Sequence, residues 1–481
     1  MNTVSEILAI ALQHHQGGKL AEAEQLYRQI LQINPQQVDA WHLLGVIAYQ
    51  SGNTAQAIAL YRQALIVNSD LPQIHSNLAV ALKAQGLLAE AITHYQKAIN
   101  LQPNSAQFHY NLALVYQEQG NLPAAENSYL QSIAFQPNYA AAYNNLALVQ
   151  TFQGKINDAI DSFDKAIELQ PDFAEARRNR AETLLLMGEF PLGFAEYEWR
   201  WRLYQPDQLP DFSTPAWDGL PLEGKTILLY AEQGLGDTFQ FIRYASLVSD
   251  RGGKVIVACL PSQIELIKTV PGVQQVFSLD QDLPEFHTQA PLMSLPYLLG
   301  TTLDTIPASI PYITASDSHN LHLETPPEKR LKVGIVWAGN PDNRHNLRRT
   351  SGLQPFIPLL KMPEIAFYSL QVGKNAQDIA QLPGDAQIQD LSPQLQNFSI
   401  TAAVINQLDL VLTIDTSVAH LAGALGQKTW VVLPYVPDWR WLLHREDSPW
   451  YPTMRLFRQS SFGDWSGVFA RVARELQILV S

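Results

Sequence analysis

An aromatic residue returns every 34 residues through the first part of the chain: Tyr27, Tyr61, Tyr95, Tyr129, Phe163 and Tyr197. Three more columns keep the same step. Small residues run Ala23, Ala57, Ala91, Ala125, Ala159 and Gly193; glycines run Gly18, Gly52, Gly86, Gly120, Gly154 and Gly188. Helix-breaking residues run Pro35, Ser69, Pro103, Pro137 and Pro171. A chain whose environments recur at a fixed interval is built from stacked copies of one small unit. No copy can bury its apolar face alone, so neighbours supply the core.

Each unit reads as two helices. The glycine column ends the first helix, where a left-handed residue is needed and Gly carries no Cβ penalty. The proline column stops the second. The alanine column marks the close crossing of two helices, and the aromatic column fills the gap beside it. Six units start near Val4, Val38, Pro72, Ala106, Ala140 and Ala174. The last is degenerate, with Arg177 and Arg180 where earlier units are aromatic or apolar, and its Trp-rich end suits a cap. The period and residue types resemble the tetratricopeptide (TPR) repeat. That resemblance implies a solenoid that holds a polypeptide rather than performing chemistry.

At 481 residues the chain has room for about three domains. A net charge of −13 argues against a nucleic-acid surface, which needs a basic stripe. The single cysteine, Cys259, lies in an apolar run and cannot form an internal disulfide. The start of the chain reads as the first repeat helix rather than a secretory signal. No apolar run approaches the roughly 20 residues that span a bilayer. The expectation is a cytoplasmic protein with no integral membrane segment.

Repeat character ends near Tyr204, and residues 205–224 read as a proline-rich linker. Short apolar runs then alternate with amphipathic stretches, the pattern of βαβ units. Strands are expected at 226–231, 254–258, 273–278 and 289–293, then at 332–337, 366–371, 387–390, 410–414 and 429–433, with a last helix at 465–480. The expected fold class is α + α/β: repeats over 1–204, a first Rossmann-like lobe over 225–303, a connector over 304–329 and a second lobe over 330–481. Two doubly wound lobes place their sites at the carboxyl ends of strands.

Three motifs sit at such ends. Gly234-Leu235-Gly236-Asp237 follows the first strand; Phe239 stands where a dinucleotide fingerprint needs its third glycine, so a plain NAD site is disfavoured. Asp237 fits either a helix N-cap or a general base toward an acceptor hydroxyl. Asp415-Thr416-Ser417, with His420 and Leu421, ends a buried strand and opens a helix of small residues. Its N–H groups and hydroxyls favour a diphosphate site over a plain cap with a core histidine. Trp337, Gly339 and Asn340 end another strand, before a basic loop containing Arg348 and Arg349. Guanidinium forks match phosphate oxygens, although such a loop is equally often solvated surface. Trp439 and Arg440 lie in an aromatic stretch suited to stacking on a base or to packing the lobes. Asp280 and Asp282 have metal-ligand spacing but no third ligand, so no metal is assigned.

These residues resemble the two-lobed GT-B glycosyltransferases, and most of all the heptosyltransferase-like family 9. The likeness covers residues 225–481. It implies that Asp237 is the acceptor-side base and that Asp415, Thr416, Ser417, His420 and Leu421 grip a donor diphosphate. Ser417 replaces the family's usual glycine, and the first lobe is short for the family. The fusion also resembles bacterial TPR–glycosyltransferase proteins, some of which modify flagellins. Asn77, Asn111, Asn145 and Asn179 recur at the repeat step, similar to the asparagine ladder of the protein O-GlcNAc transferase. That implies a grip on peptide backbone, since an amide both donates and accepts; the alternative is hydrogen bonding between repeats. The expected activity is transfer of a sugar from a nucleotide sugar to a protein acceptor, without metal or further cofactor. A non-enzymatic scaffold, or a transferase for a lipid or glycan acceptor, is the rival.

Overall fold

The computed structural model describes residues 3–205, 212–316, 322–324, 326–340 and 349–481. The chain divides into two compact units, Met1–Ala176 and Arg177–Ser481.

The first unit is five helix pairs and the start of a sixth: α1 Val4–Gln16, α2 Leu20–Ile33, α3 Val38–Gln50, α4 Thr54–Val67, α5 Pro72–Ala84, α6 Leu88–Leu101, α7 Ala106–Gln119, α8 Leu122–Phe135, α9 Ala140–Phe152 and α10 Ile156–Leu169. Every glycine of the 34-residue column has a positive φ, from 75° at Gly18 to 91° at Gly188. The first helix of each pair therefore ends where only glycine turns without strain. Ala23, Ala57, Ala91, Ala125 and Ala159 are fully buried, with Tyr27, Tyr61, Tyr95, Tyr129 and Phe163 packed beside them. Facing the aromatics runs a further small-residue column: Gly45, Ala79, Ala113, Ala147 and Ala181. A Cβ on Gly45 would stand 2.5 Å from the Tyr61 ring. A ring donor also recurs across the turns. Trp41 Nε1, His75 Nε2 and His109 Nε2 donate to the carbonyls of Pro35, Ser69 and Pro103 at 2.9, 2.8 and 2.9 Å. Each ties the end of one pair to the next helix and satisfies a carbonyl that the broken helix leaves free.

The break between units falls inside α11 (Ala174–Met187). The second unit takes the rest of α11, then α12 (Phe190–Tyr197) and a 3-10 turn over Glu198–Leu203. Within this unit Phe190 stacks on Trp450, Phe194 meets Trp439 edge-on, and buried Arg200 joins Glu232, Glu198 and Ser294. The Trp-rich end of the repeat pattern thus packs into the α/β region.

That region holds two parallel sheets. β1 (Thr226–Tyr230), β2 (Lys254–Cys259), β3 (Val273–Ser278) and β4 (Thr288–Pro291) form the first, in the order β3-β2-β1-β4. β5 (Leu331–Val336), β6 (Ile365–Ser369), β7 (Gln389–Asp390), β8 (Leu410–Ile414), β9 (Thr429–Leu433) and β10 (Met454–Arg458) form the second, in the order β10-β9-β8-β5-β6-β7. The central strands are buried on both faces, which is why they read as unbroken apolar runs. Ile335, Leu412, Ile414 and Val432 pack with Phe356, Phe469, Val472 and Leu476, the last three from the C-terminal helix Trp465–Val480.

The sequence reading differs from this in four places, one being the strand expected at 366–371, which ends at Ser369. β10 was not expected, because Arg455 and Arg458 interrupt its apolar run; it is an edge strand beside β9. The strand expected at 387–390 shrinks to the exposed pair Gln389–Asp390. The strand expected at 289–293 ends at Pro291, where a 3-10 turn begins.

Candidate functional site

The carboxyl ends of β1, β5, β6 and β8 open into a cavity of about 710 Å³. Gly234, Gly236, Asp237, Gly339, Asn340, Arg349, Asp415, Thr416, Ser417, His420 and Arg440 all line it. The glycines, Asp237 and Asp415–Ser417 lie at strand ends or helix starts, where parallel sheets leave backbone groups free; Arg349 and Arg440 come from the segments beyond β5 and β9.

After β1 the chain turns into helix α13 (Leu235–Phe241). Gly234, not Asp237, holds the N-cap position. Asp237 is three residues further on, and its Oδ2 accepts the Gly234 N–H at 2.9 Å. The expected cap is therefore the reciprocal half of a capping box. The other oxygen, Oδ1, accepts from Arg440 Nη2 at 2.5 Å. Gly236 is required by a close approach, but of a side chain: a Cβ there would sit 2.8 Å from His420 Cδ2.

After β8, Thr416 occupies the N-cap position of the helix Ser417–Ala424 without capping it; its hydroxyl lies 3.3 Å from that of Thr413. His420, one turn in, is buried, stacked on Trp441 and 3.0 Å from the Tyr451 hydroxyl through Nδ1. Burial, with Arg440 nearby, pushes its pKa down to about 3, so the imidazole is neutral near pH 7. Asp415 is buried beneath it. Burial pushes that carboxyl upward against the pull of Arg349, whose Nη1 is 3.1 Å away.

Asp438 joins the two guanidiniums. It accepts from Arg349 Nη2 at 2.7 Å and from Arg440 Nη1 at 2.8 Å. Burial opposes its charge, yet Arg440 and Arg349 together outweigh that and hold the carboxyl well below the usual range. The sequence alone assigns Asp438 no role. Arg440 is two residues away, but Arg349 is 89 residues away, and no local pattern marks the shared role.

Three expected contacts lie elsewhere. Trp337 is fully buried behind the wall and donates Nε1–H to Asp378 at 2.9 Å. Leu421 is buried in its helix, and Trp439 is buried with the Arg440 guanidinium 4.3 Å over its ring. Arg348 lies outside the described residues. The reading also missed the wall after β6, from Leu370 to Asn375. There Gln371 Oε1 accepts the N–H groups of Trp337 and Ala338 at 3.2 and 2.9 Å and fixes the end of β5. A glutamine at a strand's carboxyl end was the available signal.

In the repeats, Asn77 Nδ2 donates to His42 Nε2 at 2.8 Å, and Asn145 Nδ2 to the Tyr110 hydroxyl at 3.0 Å. Both bonds reach back one repeat. Asn111 accepts from Gln107 at 2.9 Å. In the second unit, Asn179 is buried and accepts from Arg178 at 3.0 Å. Asp280 accepts from the hydroxyl of Ser278, a turn contact. Among the described residues no helix is long and apolar enough to cross a membrane.

Comparison with known proteins agrees with the repeat columns. Residues 14–85, 106–139 and 140–173 match families described as tetratricopeptide repeat, and 82–120 one described as TPR repeat. Protein FlbA of Caulobacter vibrioides is 26% identical over 325 residues, which are 62% of this chain and 54% of FlbA. The chain thus spans about half the length of that relative. The matched share is also larger than the repeats occupy, so the likeness reaches into the α/β region. Among solved structures, MamA is 25% identical over 34% of this chain and 97% of its own, with a TM-score of 0.33. The pilF protein of Pseudomonas aeruginosa is 20% identical over 42% of this chain and 91% of its own, with a TM-score of 0.38. The family matches over 14–173 and the two parallel sheets give a chain with TPR repeats followed by an α/β region.

Proposed function

We propose that the second unit is a GT-B-type glycosyltransferase that moves a sugar from a nucleotide sugar to a protein captured by the repeats. One observation carries the reading. A helix start, two arginines and a neutral histidine line one cavity together with Asp237, which Arg440 contacts directly. The volume, about 710 Å³, lies within the range of small-molecule sites.

In this reading the Thr416 and Ser417 N–H groups and hydroxyls, with Arg349 and Arg440, meet the diphosphate. Asp237 takes the proton of a Ser or Thr hydroxyl. The acceptor oxygen forms its bond to the anomeric carbon as the bond from that carbon to the phosphate oxygen breaks, and the electron pair leaves with the diphosphate. Donors already fixed at the diphosphate favour the transition state because no reorganisation is needed when charge develops. The low His420 pKa gives that residue the role of a neutral hydrogen-bond donor rather than a cation. The amide-rich first helices of the repeats would hold acceptor backbone. No metal or further cofactor enters this scheme.

The test is to incubate the chain with candidate protein acceptors and nucleotide sugars, and read mass gain on the protein. Asp237→Ala is expected to abolish the gain while nucleotide-sugar binding survives; a fully active variant removes Asp237 from the mechanism. Deleting the repeats is expected to stop transfer to protein. Mass gain on an extracted glycolipid instead would move the acceptor to a lipid or glycan. A scaffold without turnover has one specific observation in its favour, the pairing of Asp237 with Arg440. A chain that binds no nucleotide sugar supports it.

A further inference from the structure

The terminal nitrogens of both cavity arginines each face a carboxylate. Arg440 places Nη1 on Asp438 and Nη2 on Asp237, at 2.8 and 2.5 Å. Arg349 places Nη1 3.1 Å from Asp415 and Nη2 2.7 Å from Asp438. Three carboxylates share two guanidiniums. The cluster is nevertheless under-satisfied: Arg440 Nε is buried without a hydrogen-bond partner among the described residues, and Asp415 Oδ2 meets Arg349 as an ion pair but not as an aligned hydrogen bond. Native structures rarely leave such atoms unmet, and one common reason is a ligand that completes the set. A diphosphate that takes a two-pronged hold on the Nη1–Nη2 edge of Arg440 displaces a carboxylate.

Attachment decides which one yields. Asp438 bonds both arginines and also accepts the Arg440 N–H at 3.1 Å, with 11% of its side chain exposed. Asp415 is 4% exposed and lies under His420. Asp237 is 21% exposed and has one bond to Arg440. Its second bond, to Gly234 N–H, belongs to its own turn and survives a swing of the free oxygen. Asp237 also comes from the loop after β1, whereas Asp438 and Arg440 share one 3-10 turn after β9.

We propose that Asp237 and a bound diphosphate compete for Arg440 Nη2, so that filling the cavity with the diphosphate releases Asp237 toward the acceptor. This rests on the glycosyltransferase reading above. Arg440 is then a positioning residue for Asp237. In the structure Asp237 Oδ1 points at a guanidinium rather than into the acceptor's position. Donor first and acceptor second is the order that follows.

The experiment is calorimetric titration of the full chain with UDP, GDP, ADP, CDP and dTDP. It is run on the wild type, Asp237→Asn, Arg440→Lys and the double variant, each checked by thermal denaturation. Asp237→Asn is expected to bind the preferred diphosphate on the order of tenfold more tightly, because the competitor is gone. In the Arg440→Lys background that gain disappears, since a point charge cannot bridge two groups as a fork does. Glu182→Gln separates pairing from a general loss of negative charge. Glu182 lies in the field of Arg440 and Asp438 but pairs with Arg178 at 3.9 Å. It should show no comparable gain, and this control serves even if Arg440→Lys does not fold. Equal affinity in the wild type and Asp237→Asn, or an equal gain in Glu182→Gln, overturns the competition and leaves the glycosyltransferase reading standing. No binding by any of the proteins rejects the nucleotide site and the inference with it.

Discussion

In the repeats a polar ring meets one nearby partner, and the pairing recurs. Trp41 bonds Pro35, His75 bonds Ser69, and His109 bonds Pro103, each six residues back. In the α/β unit the charges are pooled. Asp237, Asp415 and Asp438 share Arg349 and Arg440, and the Arg440–Asp237 contact joins residues 203 apart. Damage to a repeated pairing stays near its own repeat, because solenoid stability is approximately a sum of repeat and neighbour terms. Damage to a pooled network reaches every member, because removing one partner leaves the others buried and charged.

The sharpest way to break that contrast is to make one large lesion in each region. Tyr129→Ala empties a fully buried aromatic site in the fourth repeat and is expected to destabilise by about 3–5 kcal/mol. Arg440→Ala leaves Asp237 and Asp438 without their cation and is expected to cost a similar 3–5 kcal/mol. The reach should differ. Hydrogen exchange should rise only around the damaged repeat for Tyr129→Ala, but across the ends of β1, β8 and β9 for Arg440→Ala. Local protection loss in both would erase the distinction.

The pH dependence sharpens the comparison because a buried carboxyl and a half-buried imidazole pull in opposite directions. Burial raises the Glu232 carboxyl to about 7 against the pull of Arg200. The folded state then holds a proton that the unfolded chain releases near pH 4.5. Stability contributed by this group is lost as pH rises from about 4.5 to 7. Burial lowers His94 to about 4, with His75 and then Lys97 adding to the shift. The unfolded chain binds a proton near pH 6.5 that the folded array refuses until about 4, so this contribution is lost as pH falls through that window. His420 acts in the same sense as His94, so the measurement is a difference against wild type. Glu232→Gln should flatten the decline toward neutral pH, and His94→Gln the decline into acid, each by at most roughly 3 kcal/mol. Denaturation midpoints from pH 4 to 8 decide it; a variant that parallels the wild type refutes the assignment for that group.

Legibility follows the same divide. The glycine, alanine and aromatic columns are visible in the chain because one environment is written out six times. The small-residue column through Gly45 and Ala79 was equally available and went unread. The strands of the sheets are legible where burial on both faces leaves an apolar run. β10 is not, because Arg455 and Arg458 break its apolar run. Asp237, Asp415 and His420 were legible as strand-end and helix-start residues. That Asp237 would face Arg440, and that Asp438 would hold two arginines, was not. The first pairing depends on how the segments of two sheets come together, and the second on a fold that brings Arg349 back over 89 residues, which no spacing encodes. Trp337 and Trp439 were over-read: an aromatic beside a site is often its packing.

A smaller test concerns Gly236. Its Cβ position lies 2.8 Å from the His420 ring and 3.5 Å from Ser417 Cα. Gly236→Ala must push the ring off Trp441 or move the loop, an overpacking cost of about 1–3 kcal/mol. Indole fluorescence should change with it, since the ring stacks on Trp441 at 5.3 Å. An unchanged spectrum and midpoint would mean that the two helix starts have room to part.

The smallest expected effect lies back in the repeats. His109→Phe keeps a ring that can stack on Phe135, at 5.4 Å in the native chain, but removes the donor to Pro103 O. That carbonyl sits at an exposed turn, where water can replace the lost donor, so the change should cost no more than about 1 kcal/mol. His75→Phe removes the same bond at a buried position and also takes away the acceptor for the His94 Nδ1–H, at 2.9 Å. It should cost measurably more. If the two variants cost the same, the ring donors serve the turn alone. If His75→Phe is the larger, even this periodic column contains one repeat where polar groups are pooled, and the contrast between the two units becomes one of degree.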